Sequence, residues 1–141
     1  MAASTPTALS TKLMRSRGYI VAGVQQYIHP PGRVVGFYRD LFGLIDLLGI
    51  ARDTWAVQTT SASNVAARVA KIQASSALGR MQRAGWRIEV HGWEQSVDGR
   101  WELRVVDLTG EPCEWSTVQK AGPRSRNRPC IQQSLQLTVE V

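Results

Sequence analysis

The spacing of apolar and polar side chains changes period several times along the chain, and each change marks an element. Residues 19–28, Tyr-Ile-Val-Ala-Gly-Val-Gln-Gln-Tyr-Ile, are β-branched and aromatic with period two, and His29-Pro30-Pro31-Gly32 stops them, so a first strand is predicted there. A second strand is predicted over residues 40–50 and, after a turn at Arg52-Asp53, a third over 55–60. The period then lengthens. Ser61-Ala62-Ser63-Asn64 offers an N-cap to residues 65–77, where Val65, Val69 and Ile72 share one helical face. A further helical stretch over 77–83 ends at Gly85, after which residues 86–93 alternate strictly, as a half-exposed strand does. Asp98-Gly99 is a hairpin signal leading into a strand over 101–108.

At the ends the pattern weakens. Residues 1–9, rich in Ala, Ser, Thr and Pro, read as a flexible leader, and Ser10 or Thr11 is the expected cap of a short helix running to Arg17, closed by Gly18. Residues 111–141 read as a basic C-terminal extension, with Lys120, Arg124, Arg126 and Arg128 among Gly, Ser, Asn and Pro, and enough alternation over 131–141 for one edge strand. The element order αβββα(α)ββ describes an α/β domain over residues 10–110, a central mixed sheet flanked by helices. The strands on either side of the crossover helix are expected to be parallel.

Two positions break the apolar pattern of the strands. Gly43-Leu44-Ile45-Asp46-Leu47-Leu48 sets one carboxylate at the head of an apolar run, and Gln58-Thr59-Thr60 places polar groups inside the next strand. An unmatched polar group in such a place costs about 2–7 kcal/mol, so Asp46 and Gln58 require partners, a metal or a chemical role. Asp40 has the same strand parity as Asp46, with Gly43 between them able to bulge and break it.

Carboxylate on a strand, turn, polar-x-polar on the next strand and then a basic helix resembles the PD-(D/E)XK nuclease superfamily, in particular its Holliday-junction-resolvase-like and small phage-type branches. Gly43, Asp46, Leu47 and Leu48 match the first motif; at the second, Gln58 stands in place of the acid and Thr60 in place of the lysine. The resemblance implies a restriction-endonuclease-like core and a divalent-metal-dependent DNA endonuclease. It implies Mg²⁺ or Mn²⁺ held by Asp46 and Gln58, with Lys71 on the crossover helix replacing the missing lysine and Arg68, one turn earlier, clamping phosphate; Asp40, by its strand parity, is a candidate further metal ligand, with a salt bridge to Arg39 or Arg33 as its ordinary role. DNA is the partner it implies, and a homodimer is compatible with it. The two departures keep a second reading open, a catalytically inactive nucleic-acid-binding module, and a third, a structural or interaction protein whose polar strand residues hold the sheet together.

Charge adds to this picture without deciding it. Lys and Arg number 17 against 11 Asp and Glu, a net charge of +6. A basic excess suits a polyanion, and Arg68, Lys71, Arg124, Arg126 and Arg128 are the expected DNA contacts. His91, Glu89 and Trp93 share one strand face; the histidine is a candidate general base, with packing as its more ordinary role. Five tryptophans are many for 141 residues, and any left exposed beside an arginine can stack on a base. The two cysteines, Cys113 and Cys130, have no Cys-x-x-Cys spacing and there are only two histidines, which argues against a structural zinc site. Nucleotide-binding glycine motifs and the Gly-x-Ser-x-Gly elbow do not occur. With no run of 18 apolar residues, the chain is expected to be soluble and cytoplasmic, without membrane partners.

Overall fold

The computed structural model describes residues 4–110 and 134–138. Helix α1 (Pro6–Ser16) leads into strands β1 (Ile20–Gly23), β2 (Gln26–Ile28), β3 (Phe37–Arg39), β4 (Leu47–Ile50) and β5 (Thr54–Ser61). A 3-10 turn (Ala62–Asn64) and helices α2 (Val65–Gln73) and α3 (Ser76–Arg83) cross to β6 (Arg87–Gln95), followed by β7 (Trp101–Asp107) and β8 (Ser134–Thr138). Six strands form one mixed sheet in the order β1-β4-β5-β6-β7-β8. Every neighbouring pair is antiparallel except β5 and β6, which run parallel from Trp55↔Arg87 to Ser61↔Trp93.

The parallel pair dictates the layering. Strands joined by a crossover are covered on both faces, and here α1 lies on one face and α2 with α3 on the other. On the α1 side Trp55 and Val57 pack with Met14 and Leu47, and Leu9 packs with Trp93, Leu103 and Val105. On the other side Ala56, Ile88, Val90 and Val106 meet Val65, Val69, Ile72 and Met81. Alternation along β5 and β6 thus serves two cores at once.

Several sequence expectations shift. Helix α1 begins at Pro6, inside the expected leader: Thr5 Oγ1 accepts from the Ala8 N–H at 3.2 Å, and Pro6 has the preset φ of a first helical position. Thr5, not Ser10 or Thr11, is the cap; Ser10 is buried inside the helix. The expected first strand is two. Only β1 joins the main sheet, while β2 pairs with β3 in a separate ribbon, Tyr27 against Tyr38 with ring centroids 5.0 Å apart. The expected second strand is mostly turn, since Phe42 and Gly43 have φ of 55° and 71° and strand geometry starts only at Leu47. Asn64 makes no side-chain capping bond to α2, which grows directly out of the 3-10 turn. The hairpin at Asp98-Gly99, the parallel crossover and an edge strand within 131–141 are all found.

One glycine is needed for the crossover to seat. A Cβ on Gly92 would lie 2.2 Å from Val65 Cγ2 and 3.1 Å from Ala62 Cα, because the start of α2 rests directly on β6. Gly92→Ala should therefore cost about 1–3 kcal/mol, the range for an overpacked core, read as a fall in the urea midpoint; an unchanged midpoint would show that the helix start is free to lift.

Candidate functional site

Asp46 lies at the edge of β4, with its own N–H donating to Val57 O and its carbonyl accepting from the Val24 N–H. That backbone pairing fixes the side chain against β5. Asp46 Oδ2 accepts from Gln58 Nε2 at 2.7 Å, from the Thr59 N–H at 2.9 Å and from Thr59 Oγ1 at 2.9 Å. Its Oδ1 accepts from Gln25 Nε2 at 3.2 Å, and the same Gln25 amide donates to Asp40 Oδ1 at 2.7 Å. One amide therefore bridges two carboxylates. Asp46 and Gln58 are 5% and 2% exposed, whereas Asp40 is half-buried and Gln25 exposed, so the cluster has a buried floor and an open rim.

The floor is electrostatically tense. Burial, above all, pushes the Asp46 carboxyl up to about 6; the Thr59 hydrogen bonds oppose the rise and neighbouring Asp40 adds to it. Gln58 Oε1 has no hydrogen-bond partner although it is buried. Its amide nitrogen is committed to Asp46, so this oxygen is a fixed, desolvated acceptor beside a carboxylate. Such an atom is rare in a folded interior. Asp46, Asp40 and the two glutamines offer only hard oxygen ligands, the type that suits Mg²⁺ or Mn²⁺. The set carries low charge: among the described residues no three His, Cys, Asp or Glu side chains group around a common point.

The cationic partners are arranged otherwise. Lys71 is exposed, about 130° round α2 from the Val65–Ile72 stripe at 100° per residue, and Arg68 is half-exposed beside that stripe. Neither hydrogen bonds or ion-pairs with Asp46, Asp40 or Gln58. Thr60, in the lysine position of the motif, is 7% exposed on the same strand face as Gln58. Arg124, Arg126, Arg128 and both cysteines lie outside the described residues.

Helix α1 supplies what the sequence reading missed. Thr7 Oγ1 and Thr59 Oγ1 are 3.0 Å apart, so the helix start joins the hydrogen-bond chain that ends on Asp46. From Thr7 a shallow groove of about 480 Å³ runs along α1, lined by Thr5, Thr11, Lys12 and Arg15 among others. The polar i, i+4 pair Thr7 and Thr11 was the available signal, hidden by the expectation of a flexible leader. Gln25 was likewise hidden, inside what read as one unbroken strand.

A second buried carboxylate shows the opposite condition. Glu89 accepts from Trp55 Nε1 at 3.1 Å, Arg87 Nε at 2.8 Å and His91 Nε2 at 2.9 Å, while His91 Nδ1 meets Ser10 Oγ at 3.0 Å, which accepts from Trp93 Nε1 at 2.8 Å. Burial alone would raise the Glu89 carboxyl, but His91 and Arg87 more than offset it and hold it below its usual range. Ser10, His91 and Glu89 follow the order of a hydrolytic triad, yet Ser10 is 0% and His91 1% exposed beneath α1. No substrate reaches them. The chain locks α1 to the sheet, and His91 is a packing residue.

Comparison with protein-family models, curated proteins and solved structures finds no match to this chain. The geometry itself therefore carries the functional reading.

The raised Asp46 carboxyl has a measurable consequence. The folded form holds its proton more tightly than the unfolded chain, whose value is 3.8, so stability present below that value is lost as pH rises towards about 6. The span amounts to about 3 kcal/mol. Asp46→Asn removes the titrating group, and urea denaturation of both proteins from pH 4 to 7 should show their stability difference change across that window and level off above it. A difference independent of pH would mean that Asp46 titrates normally.

Proposed function

We propose that the chain is a divalent-metal-dependent nuclease of the PD-(D/E)XK kind acting on DNA, with its ion held between Asp46, Asp40 and Gln58. The observation that carries this reading is the unpartnered Gln58 Oε1 beside a buried carboxylate of raised proton affinity. A cation would satisfy both in one step. The amide oxygen would be one of its ligands, and its charge would favour the ionised Asp46. The element order is in keeping with the same reading: a mixed sheet with helices on both faces and a parallel β5-β6 crossover is compatible with the restriction-endonuclease-like core that the resemblance implies.

When bound, Mg²⁺ or Mn²⁺ would activate water and neutralise charge gathering on the scissile phosphate. The protein's own groups do the rest. Thr59 and Gln58 fix the Asp46 carboxylate by three donors to Oδ2, and Oδ1 accepts from the exposed Gln25 amide at the rim. Gln25 holds Asp40 next to it. Lys12 and Arg15 line the groove along α1 that includes Thr7, and they would offer a phosphate backbone two cations there.

A specific observation favours a second reading. No lysine or arginine among the described residues contacts Asp46, Asp40 or Gln58, and Thr60 fills the place of the cation that would orient the attacking water. The alternative is a nucleic-acid-binding module of the same fold that does not cut.

Metal titration separates the two. Mn²⁺ and Mg²⁺ should raise the melting temperature of the wild type, more at pH 7 than at pH 5, and should not do so for Asp46→Asn. Gln58→Glu brings a second carboxylate against Asp46, so without metal it should melt lower and with metal recover by more than the wild type does. Nicking of a supercoiled plasmid and of a four-way junction by either protein supports the enzyme. Metal-insensitive melting of both, with no nicking, sinks it.

A further inference from the structure

We infer that the cavity between the 41–44 turn and α3 is a seat for one unstacked nucleobase, with Arg80 holding its phosphate. The inference rests on the nucleic-acid reading above but on different atoms. The cavity measures about 370 Å³ and is lined by Phe42, Ala77, Arg80, Met81, Ala84 and Trp86, within the roughly 300–1,000 Å³ of small-molecule sites. Its walls include two aromatic rings, Phe42 and Trp86, with centroids 6.3 Å apart and planes 42° apart. At that separation the two rings touch as a tilted aromatic pair. Stacked packing would cover both, but Phe42 stays 60% exposed.

The backbone under Phe42 argues for a purpose other than folding. Leu44 N–H donates to Leu41 O across a two-residue turn in which Phe42 and Gly43 both have positive φ, 55° and 71°. Such a turn prefers Asn-Gly, and a bulky aromatic residue at positive φ is an outlier. Strain of this type concentrates at functional sites. Here it presents an apolar ring to solvent, which brings the fold little by itself.

Charge and position name the occupant. Arg80 is exposed, and among the described residues it makes a long 3.4 Å bond to Ser76 O and pairs with no carboxylate, so its guanidinium is available to an anion at the mouth of the cavity. Aromatic faces next to a free arginine suit a planar ring carrying a phosphate, and base stacking tolerates any sequence. The turn that carries Phe42 also runs between Asp40 and Asp46. One short segment thus bears both the base seat and the carboxylates, and an unpaired base is present where strands branch or open.

The test uses the full chain, with adenosine 5′-monophosphate and a short single-stranded deoxyoligonucleotide as probes and tryptophan fluorescence as readout. Both should quench, the monophosphate should bind more tightly than adenosine, and Arg80→Gln should erase that margin. Phe42→Asn suits the turn, so it should melt at the same temperature as the wild type or higher, while binding of both probes weakens at least about fivefold, the lower end of base stacking. Probe binding unaffected by Phe42→Asn, no preference for the monophosphate, or a lower melting temperature in Phe42→Asn would overturn the inference. Metal-induced stabilisation through Asp46 involves neither Phe42 nor Arg80, so its failure and the failure of the base seat are separate results.

Discussion

The parallel register between β5 and β6 is the constraint on which the rest of the molecule depends. Parallel neighbours need a crossover, the crossover puts helices over one face, and the remaining face must be covered by α1. Both strands are then buried over six consecutive residues, Trp55 to Thr60 and Ile88 to Trp93. Five polar side chains on them, Gln58, Thr59, Thr60, Glu89 and His91, are buried with the strands, and each requires a partner.

The sheet answers that requirement in two different ways. Glu89 is surrounded by donors from Trp55, Arg87 and His91, and the chain continues through Ser10 to Trp93, so a buried carboxylate is stabilised in its charged form and ties helix to sheet. Asp46 also has donors, but they are neutral, and its nearest charged neighbour is another carboxylate. The two acids are consequently displaced in opposite directions, Glu89 downwards and Asp46 upwards. A fully satisfied network rigidifies a core; around Asp46 one buried acceptor, Gln58 Oε1, stays open and the carboxyl holds its proton more tightly than usual. That contrast distinguishes the two buried polar clusters of the sheet.

The turn between β3 and β4 connects this electrostatics to the surface. Because Phe42 and Gly43 reverse the chain tightly, Leu44 and Ile45 reach the core while Asp40 and Asp46 approach each other closely enough for one Gln25 amide to bridge them. The regular strand expected over 40–50 would have carried the two aspartates six residues, about 20 Å, apart. A left-handed turn therefore builds the carboxylate pair, and the same turn displays Phe42 over Trp86.

Local pattern alone determined much of this protein. Period-two runs, the Asp-Gly hairpin and the apolar stripe Val65, Val69 and Ile72 marked β5, β6, β7 and α2, and the chain order of strand, helix and strand implied the parallel crossover, because these signals depend on near neighbours and on the handedness of the chain. The pairing of Asp46 with Gln58 was legible too, since both interrupt apolar strands joined by a short turn. Only the tertiary structure decided the remainder. Whether residues 19–28 form one strand or two depends on which partner each half finds, and whether Lys71 serves the site depends on which side of α2 meets the sheet. Gln25, Thr7 and the Ser10–His91–Glu89 chain join residues 21, 52 and 81 positions apart. Contacts at that separation leave no periodic trace, because their energies arise only once the backbone has brought the groups together and removed the water between them.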